Sequence, residues 1–250
     1  MTSIQLLRHA TVVVELDGQR ILVDPMLDAA GARPPIANTP EPRDNPLVEL
    51  PPATPEALDG LTGAIVTHLH ADHLDDEGAA FLAQAGVPVQ GQAGDLETLA
   101  QRSIPATEIG SAPFGSVQVH RTGGRHAHEP SLSEALGQVS GVVLEAGGQR
   151  IYLGGDTVPG PELDAALAEH RPTAVVLNAG GARFLDSGAI ISTSKDVADL
   201  AKRLPETTIV AVHLDSINHC IETREHLRSA IAAAGVTNVV VPDDGDVVTL

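Results

Sequence analysis

The chain has 250 residues, with 33 acidic against 15 basic side chains and a formal net charge of −18. That balance excludes proteins that track nucleic-acid backbones or anionic lipid surfaces, since both rely on lysine and arginine. Hydrophobic residues make up 42% of the chain but aromatics only 2%, so the core must be built from Val, Leu, Ile and Ala.

In chain order, 11-TVVVEL-16 and 20-RILVDP-25 read as two strands joined across Asp17-Gly18, a strong hairpin signal. The stretch 27–55 is irregular and holds eight of the 18 prolines. A loop of that length in a folded domain suits a lid or pocket wall, or a rigid surface crossing. Beyond it, 63-GAIVTH-68 reads as a buried strand, 77–86 as a helix ending at Gly86, 87–91 as a strand and 94–103 as a helix. Strands are expected around 106–121 and 140–154, the latter with a hairpin at Gly147-Gly148. Helix 161–170, strand 173–179, helix 194–203, strand 207–213, helix 222–234 and strand 237–241 complete the series, with no internal repeat read. Apolar strands ending in polar, glycine-rich segments place the chemistry at strand ends.

No apolar run approaches the roughly 18 residues of a membrane span. The N-terminus lacks the basic-then-apolar order of a secretory leader. A single cysteine, Cys220, permits no intrachain disulfide. A soluble cytoplasmic protein is expected, with no nucleic-acid or membrane partner and with a homo-oligomer left open.

The densest signal is 68-HLHADH-73, directly after an apolar strand. Side chains alternate along an extended segment, so His68 and His70 point the same way and suit one metal ion. Asp72 and His73 follow where the chain turns toward a helix and suit a second ion. Further ligand-type residues follow other strands: His126 and His128 in 122-TGGRHAHEP-130, Asp156 in 151-IYLGGDTVPG-160, and His213 in 207-TTIVAVHLDSINHC-220.

The order H-x-H-x-D-H, a distant His, an Asp in a G-D-T context and a final His resembles the metallo-β-lactamase superfamily over nearly the whole chain. The opening 7-LRHATVVVELDGQRILVDP-25 looks most like the branch of metal-dependent hydrolases containing ascorbate-6-phosphate lactonase. The resemblance implies an α+β fold, the four-layer αββα sandwich, as one domain over 1–250. It also implies two divalent ions, with Zn or Mn favoured over Fe or Ni. His68, His70 and His126 would hold the first ion, Asp72, His73 and His213 the second, and Asp156 would bridge them. His126 is preferred to His128 because it comes first after the Gly-Gly turn. Flavodiiron enzymes carry Glu where this chain has His70, which disfavours redox iron chemistry. Glyoxalase-type thioesterases share the ligand set.

The implied reaction is hydrolysis of a small ester, lactone or phosphoester by a metal-bound hydroxide. Alternatives are a thioesterase or phosphodiesterase with the same site, or a ligand-sensing protein without turnover. Asp72 is expected to ligate and also to orient the nucleophile. His219 is a catalytic candidate that could protonate a leaving group. Asp24 and His9 are candidates for supporting the ligand histidines, Asp24 otherwise being a turn residue before Pro25 and His9 a core histidine. Asn178, Arg183 and Asn218 are candidate substrate contacts, Asn218 alternatively a helix cap. Cys220 reads as a small buried hydrophobe. His120, His170 and His226 read as ordinary histidines.

Overall fold

The computed structural model describes residues 2–250. The first half opens with an antiparallel meander, β1 (Ser3–Arg8), β2 (Thr11–Leu16) and β3 (Gln19–Val23). After the proline-rich segment and the short α1 (Thr54–Ala57), three strands add in parallel: β4 (Gly63–Val66), β5 (Val89–Gly91) and β6 (Ala106–Glu108). Helices α2 (Asp76–Ala85) and α3 (Leu96–Gln101) connect them. The second half repeats the plan with β7 (Gln118–Gly123), β8 (Ser140–Ala146) and β9 (Gln149–Leu153), with α4 (Pro130–Leu136) between the first two. The parallel strands β10 (Ala174–Asn178), β11 (Thr208–Val212) and β12 (Val239–Val240) follow, alternating with α5 (Pro161–His170), α6 (Ser194–Arg203) and α7 (Arg224–Ala234). The final strand, β13 (Val247–Thr249), returns to pair with β1.

The order of the first sheet is β13-β1-β2-β3-β4-β5-β6, and that of the second is β12-β11-β10-β9-β8-β7. Alternation along the strands explains how they stack. Val12, Val14 and Leu16 of β2 and Ile21 and Val23 of β3 meet Val142, Leu144, Ile151 and Leu153 of the other sheet in one apolar layer. Val13 and Leu22 face the opposite way, onto Ala79 and Leu82 of α2 and Leu99 of α3. In the second sheet Val143, Tyr152 and Val175 face Leu163 of α5, Val197 and Leu200 of α6 and Leu227 of α7. Both faces of each sheet are therefore covered, which is why the strands read as nearly unbroken apolar runs. The result is the four-layer αββα sandwich expected from the resemblance.

The two halves carry one likeness that was not read from the sequence. The β2–β3 hairpin, 14-VELDGQRIL-22, and the β8–β9 hairpin, 144-LEAGGQRIY-152, pair in the same register, Glu15 with Arg20 and Glu145 with Arg150. At nine residues the match is too short to stand out in a linear scan. It becomes visible once each hairpin is seen to start the parallel half of its own sheet. The helix α4 and strands β1 and β13 were also not assigned from sequence. α4 has the composition SLSEAL, with too few apolar residues to show a face, and none of its residues is buried.

The proline-rich segment is anchored rather than loose. The guanidinium of Arg8, fully buried, donates to the carbonyls of Met26 (2.8 Å), Asp28 (2.8 Å) and Val48 (2.9 Å). From the other side, the Asn218 side chain accepts from the Ile36 amide (3.0 Å) and from Asn45 (2.7 Å), and donates to Thr39 (2.6 Å) and the Glu41 carbonyl (2.8 Å). Among the described residues no helix is long and apolar enough to cross a membrane.

Candidate metal centre

The strands end together at one edge of the sandwich, and the side chains just beyond them converge. His68 follows β4, His126 follows β7, Asp156 follows β9 and His213 follows β11. Two sets of donor atoms result, each drawn together within 4.8 Å: His68, His70, His126 and Asp156 in one, and His9, Asp72, His73 and His213 in the other. Apart from His70, which is half-buried, all of these residues are buried.

Asp156 stands between the sets, one oxygen to each. Its Oδ1 lies 3.2 Å from Nε2 of His73 and 3.4 Å from Nε2 of His213. Its Oδ2 lies 3.4 Å from Nε2 of His126 and 3.9 Å from Nε2 of His68. Asn178, at the end of β10, donates to Oδ1 at 2.6 Å and so fixes the plane of the carboxylate. Gly155 makes the placement possible: it adopts φ +62°, and a Cβ there would meet the Ser140 carbonyl at 2.7 Å.

Behind the donors lies a ring of outer partners. Asp24 accepts from Nδ1 of His73 at 2.8 Å, and from the Thr67 amide and hydroxyl at 2.7 Å each. Thr67 Oγ1 also lies 3.1 Å from Nδ1 of His68. His70 Nε2 meets the Leu136 carbonyl of α4 at 2.9 Å, and His126 Nδ1 meets the Ile190 carbonyl at 2.7 Å. Cys220 Sγ lies 3.3 Å from Nδ1 of His213. Such partners fix the tautomer and aim the remaining lone pair. His9 Nε2 lies 3.3 Å from Oδ2 of Asp72, and its ring lies against that of His213 with centroids 3.5 Å apart.

The electrostatics suit bound cations. Burial disfavours charge on Asp72 and Asp156, yet the surrounding histidines outweigh it and hold both carboxyls well below the usual range, so both are ionised. Burial pushes His68 and His213 well down, and His9, His126 and His219 down as well, so their lone pairs are free to ligate. His73 is the exception: burial opposes its charge, but Asp156 and Asp24 raise its pKa well above the ordinary value. Nε2 of His73 and Nε2 of His213 are buried with no hydrogen-bond partner, both aimed at Asp156. Buried carboxylates ringed by orphaned imidazole nitrogens are costly unless something positive joins them, and a divalent ion in each set fits that need.

The centre opens on a cavity of about 220 Å³ lined by His70, Asp72, His126, Asp156 and His219, with apolar walls from Ile36, Leu136, Phe184 and Ile190. A smaller cavity, about 60 Å³, lies under the proline-rich segment and shares Ile36, Ala71 and Asp72 with it. His219 is buried with Nδ1 unpartnered.

The structure brings all seven expected ligands together, with Asp24 and His9 beside them, while His128 is exposed. It does not bring the three expected substrate contacts into the cavity. Asn178 is spent on Asp156, and Asn218 on the 36–45 segment. Arg183 is exposed, and its neighbour Phe184 supplies the wall instead. The glycine pair beside it serves the fold, since a Cβ on Gly180 would meet the His213 carbonyl at 2.2 Å. Thr67, the Leu136 and Ile190 carbonyls and the Cys220 contact were missed by sequence reasoning. The carbonyls carry no sequence signal at all, whereas Thr67 was legible in principle as the residue before the first ligand.

The β-lactamase superfamily domain description matches residues 19–214. A Bacillus subtilis protein, YddR of the UPF0173 group, is 32% identical over 98% of both chains. Among solved structures, a possible metal-dependent hydrolase from Veillonella parvula superposes with a TM-score of 0.95 at 31% identity, covering 100% of both chains. An isothiocyanate hydrolase from Delia radicum gut bacteria superposes with a TM-score of 0.88 at 30% identity, covering 99% of both.

Proposed function

Because the chain belongs to the β-lactamase superfamily, as a metal-dependent hydrolase, we propose that it binds two divalent ions and hydrolyses a small, uncharged ester or lactone. The observation that carries this reading is the division of the Asp156 carboxylate, one oxygen to each donor set. Two ions held there would supply Lewis acidity and would lower the pKa of a bound water to near 7. Asp72, ionised and lining the cavity, is placed to accept a hydrogen bond from the attacking water and so orient it. His219, at the cavity wall and kept neutral by burial, is placed to take the proton released by the attacking water and hand it to the departing oxygen. Ile36, Leu136, Phe184 and Ile190 exclude water from the acyl portion of the substrate.

No lysine or arginine lines the cavity, so a phosphoester would find only ions, not side chains, to meet its charge. This favours a neutral carbon centre over phosphorus. A second reading is hydrolysis of an isothiocyanate carbon. It is favoured by the full-length likeness to the enzyme of that name and by the same apolar cavity. The narrower likeness to ascorbate-6-phosphate lactonase rests on the 7–25 opening.

The test is a panel of small esters, lactones, thioesters and isothiocyanates, run with and without a chelator and after return of Zn or Mn. Turnover of a neutral member that disappears on chelation and recovers with metal supports the reading. A metal-loaded protein that turns over none of them contradicts it and leaves the ligand-sensing alternative.

A further inference from the structure

We propose that His9 is a direct ligand of the second ion, through Nε2, beside Asp72, His73 and His213. This rests on the metal-centre reading above.

Contacts around the centre fall into two length classes. Hydrogen bonds from ring nitrogens to carboxylate or carbonyl oxygens are short: 2.8 Å from His73 to Asp24, 2.7 Å from His126 to Ile190 and 2.9 Å from His70 to Leu136. Contacts between atoms converging on a common point are longer: 3.1 Å for His68 with His70, 3.2 Å for His73 with Asp156, 3.4 Å for both His126 and His213 with Asp156, 3.7 Å for His213 with Asp72 and 3.9 Å for His68 with Asp156. Two donors each about 2.0–2.2 Å from one ion, at tetrahedral or octahedral angles, stand roughly 2.9–3.5 Å apart. A ring N–H donating to an ionised carboxylate closes instead to about 2.7–2.9 Å. The His9 to Asp72 separation is 3.3 Å and belongs to the second class.

The backbone supports the same assignment. His9 sits in the β1–β2 connection at φ +61°, and its carbonyl accepts from the His213 amide at 2.9 Å. His213 (φ +67°) and Asp24 (φ +48°) share that left-handed conformation. Non-glycine residues hold it at a cost, and such costs gather at functional sites. The β1–β2 turn is thus bent to bring a fully buried ring to the centre, where its Nε2 joins the other three donors within 4.8 Å.

His9 makes the two sites unequal. Three donors of the first set, His70, His126 and Asp156, line the substrate cavity, but only Asp72 of the second. With His9 bound, the second ion would have four protein donors of its own beside the shared Asp156. His9 is also the one ring among the six whose other nitrogen, Nδ1, is buried without a partner. Outer partners raise ligand basicity, so His9 is the weakest imidazole donor of the six.

The deciding experiment is a crystal structure of the zinc-loaded full chain with the ions located by anomalous scattering. A His9 Nε2 to zinc distance of about 2.0–2.1 Å is expected. A distance beyond about 3 Å, with Nε2–H turned to Asp72, overturns the assignment. In solution, zinc titration against a competing chelator should show His9→Gln weakening one of the two ions at least tenfold while the other is unchanged. A His9→Gln chain that binds both ions as tightly as wild type overturns the assignment and leaves the metal centre standing. A wild-type chain that takes up no zinc overturns both.

Discussion

The Asp24 carboxylate accepts from Nδ1 of His73 at 2.8 Å, and this bond decides which nitrogen of the ring is presented to the centre. Asp24 leaves the end of β3, the strand of the first hairpin, and Asp156 leaves the end of β9, the strand of the second. The same imidazole is thus held on both sides by acids from matching places in the two sheets. Asp24 also accepts from the Thr67 amide and hydroxyl, so it aligns the residue before the first ligand as well. Asp24→Ala is expected to weaken metal binding about 10–100-fold, the usual effect of losing an outer partner. Competition titration checks this; unchanged affinity would mean that Asp24 only shapes the turn before Pro25.

His73 gives the metal-free protein a distinctive pH dependence. Burial opposes its charge, but Asp156 and Asp24 raise its pKa well above the ordinary histidine value. An ion must displace that proton, so metal affinity falls as pH falls, and binding releases a proton. A raised pKa contributes stability that is complete below the unfolded value, about 6.5, and is lost as pH rises through the folded value. The depressed Asp72 and Asp156 contribute above about 3.9 and lose it as pH falls through their folded values. The buried histidines with lowered pKa values act oppositely, contributing stability that grows as pH rises toward about 6.5. Thermal unfolding in chelator should therefore show a decline as pH rises above about 6.5 that zinc abolishes. A metal-free protein whose stability rises above that pH would contradict the assignment of His73.

Asn218 ties the proline-rich segment to the end of β11. Its side chain reaches Ile36, Thr39, Glu41 and Asn45, and Ile36 forms part of the cavity wall. Asn218→Ala strands several buried groups at once, at a cost of about 1–3 kcal/mol. The expected result is new proteolytic cleavage within 36–45 and a higher KM with a smaller change in kcat. Unaltered proteolysis would mean that the Arg8 contacts alone hold the segment.

Arg183 and Phe184 adjoin in sequence but differ in consequence. Arg183 is exposed and outside the cavity, so Arg183→Ala should leave kcat/KM within about twofold. Phe184→Ala removes a wall and should extend turnover to bulkier acyl groups. A large loss in Arg183→Ala would point to an anionic substrate reaching the rim and would count against a neutral one.

The individual hairpins and helices and the His68–His73 motif were legible because they rest on local patterns, whereas the sandwich and the sharing of ligands between two ions came from the family resemblance. The β2–β3 hairpin was announced by Asp17-Gly18, and α2 ends at Gly86 with φ +66°, as expected of a helix stop. His68 to His73 carry their spacing in six residues. What stayed hidden depends on where a strand end points after folding. Asn178 and Arg183 were read alike, as polar residues after a strand beside glycines, but one turns inward to Asp156 and the other outward to solvent. Asn218 was read as a substrate contact or a helix cap, because nothing local links it to residues about 180 positions away. Cys220, read as a small buried hydrophobe, is half-buried with its thiol pushed well up by desolvation, and it also backs the His213 ring.

The most direct test of the shared centre is elemental mass spectrometry of the wild-type chain and of Asp156→Asn, after reconstitution and removal of loose metal. The account predicts two divalent ions per wild-type chain and loss from both sites in Asp156→Asn, because one carboxylate serves both donor sets. An Asp156→Asn protein that keeps both ions as firmly as wild type would contradict it.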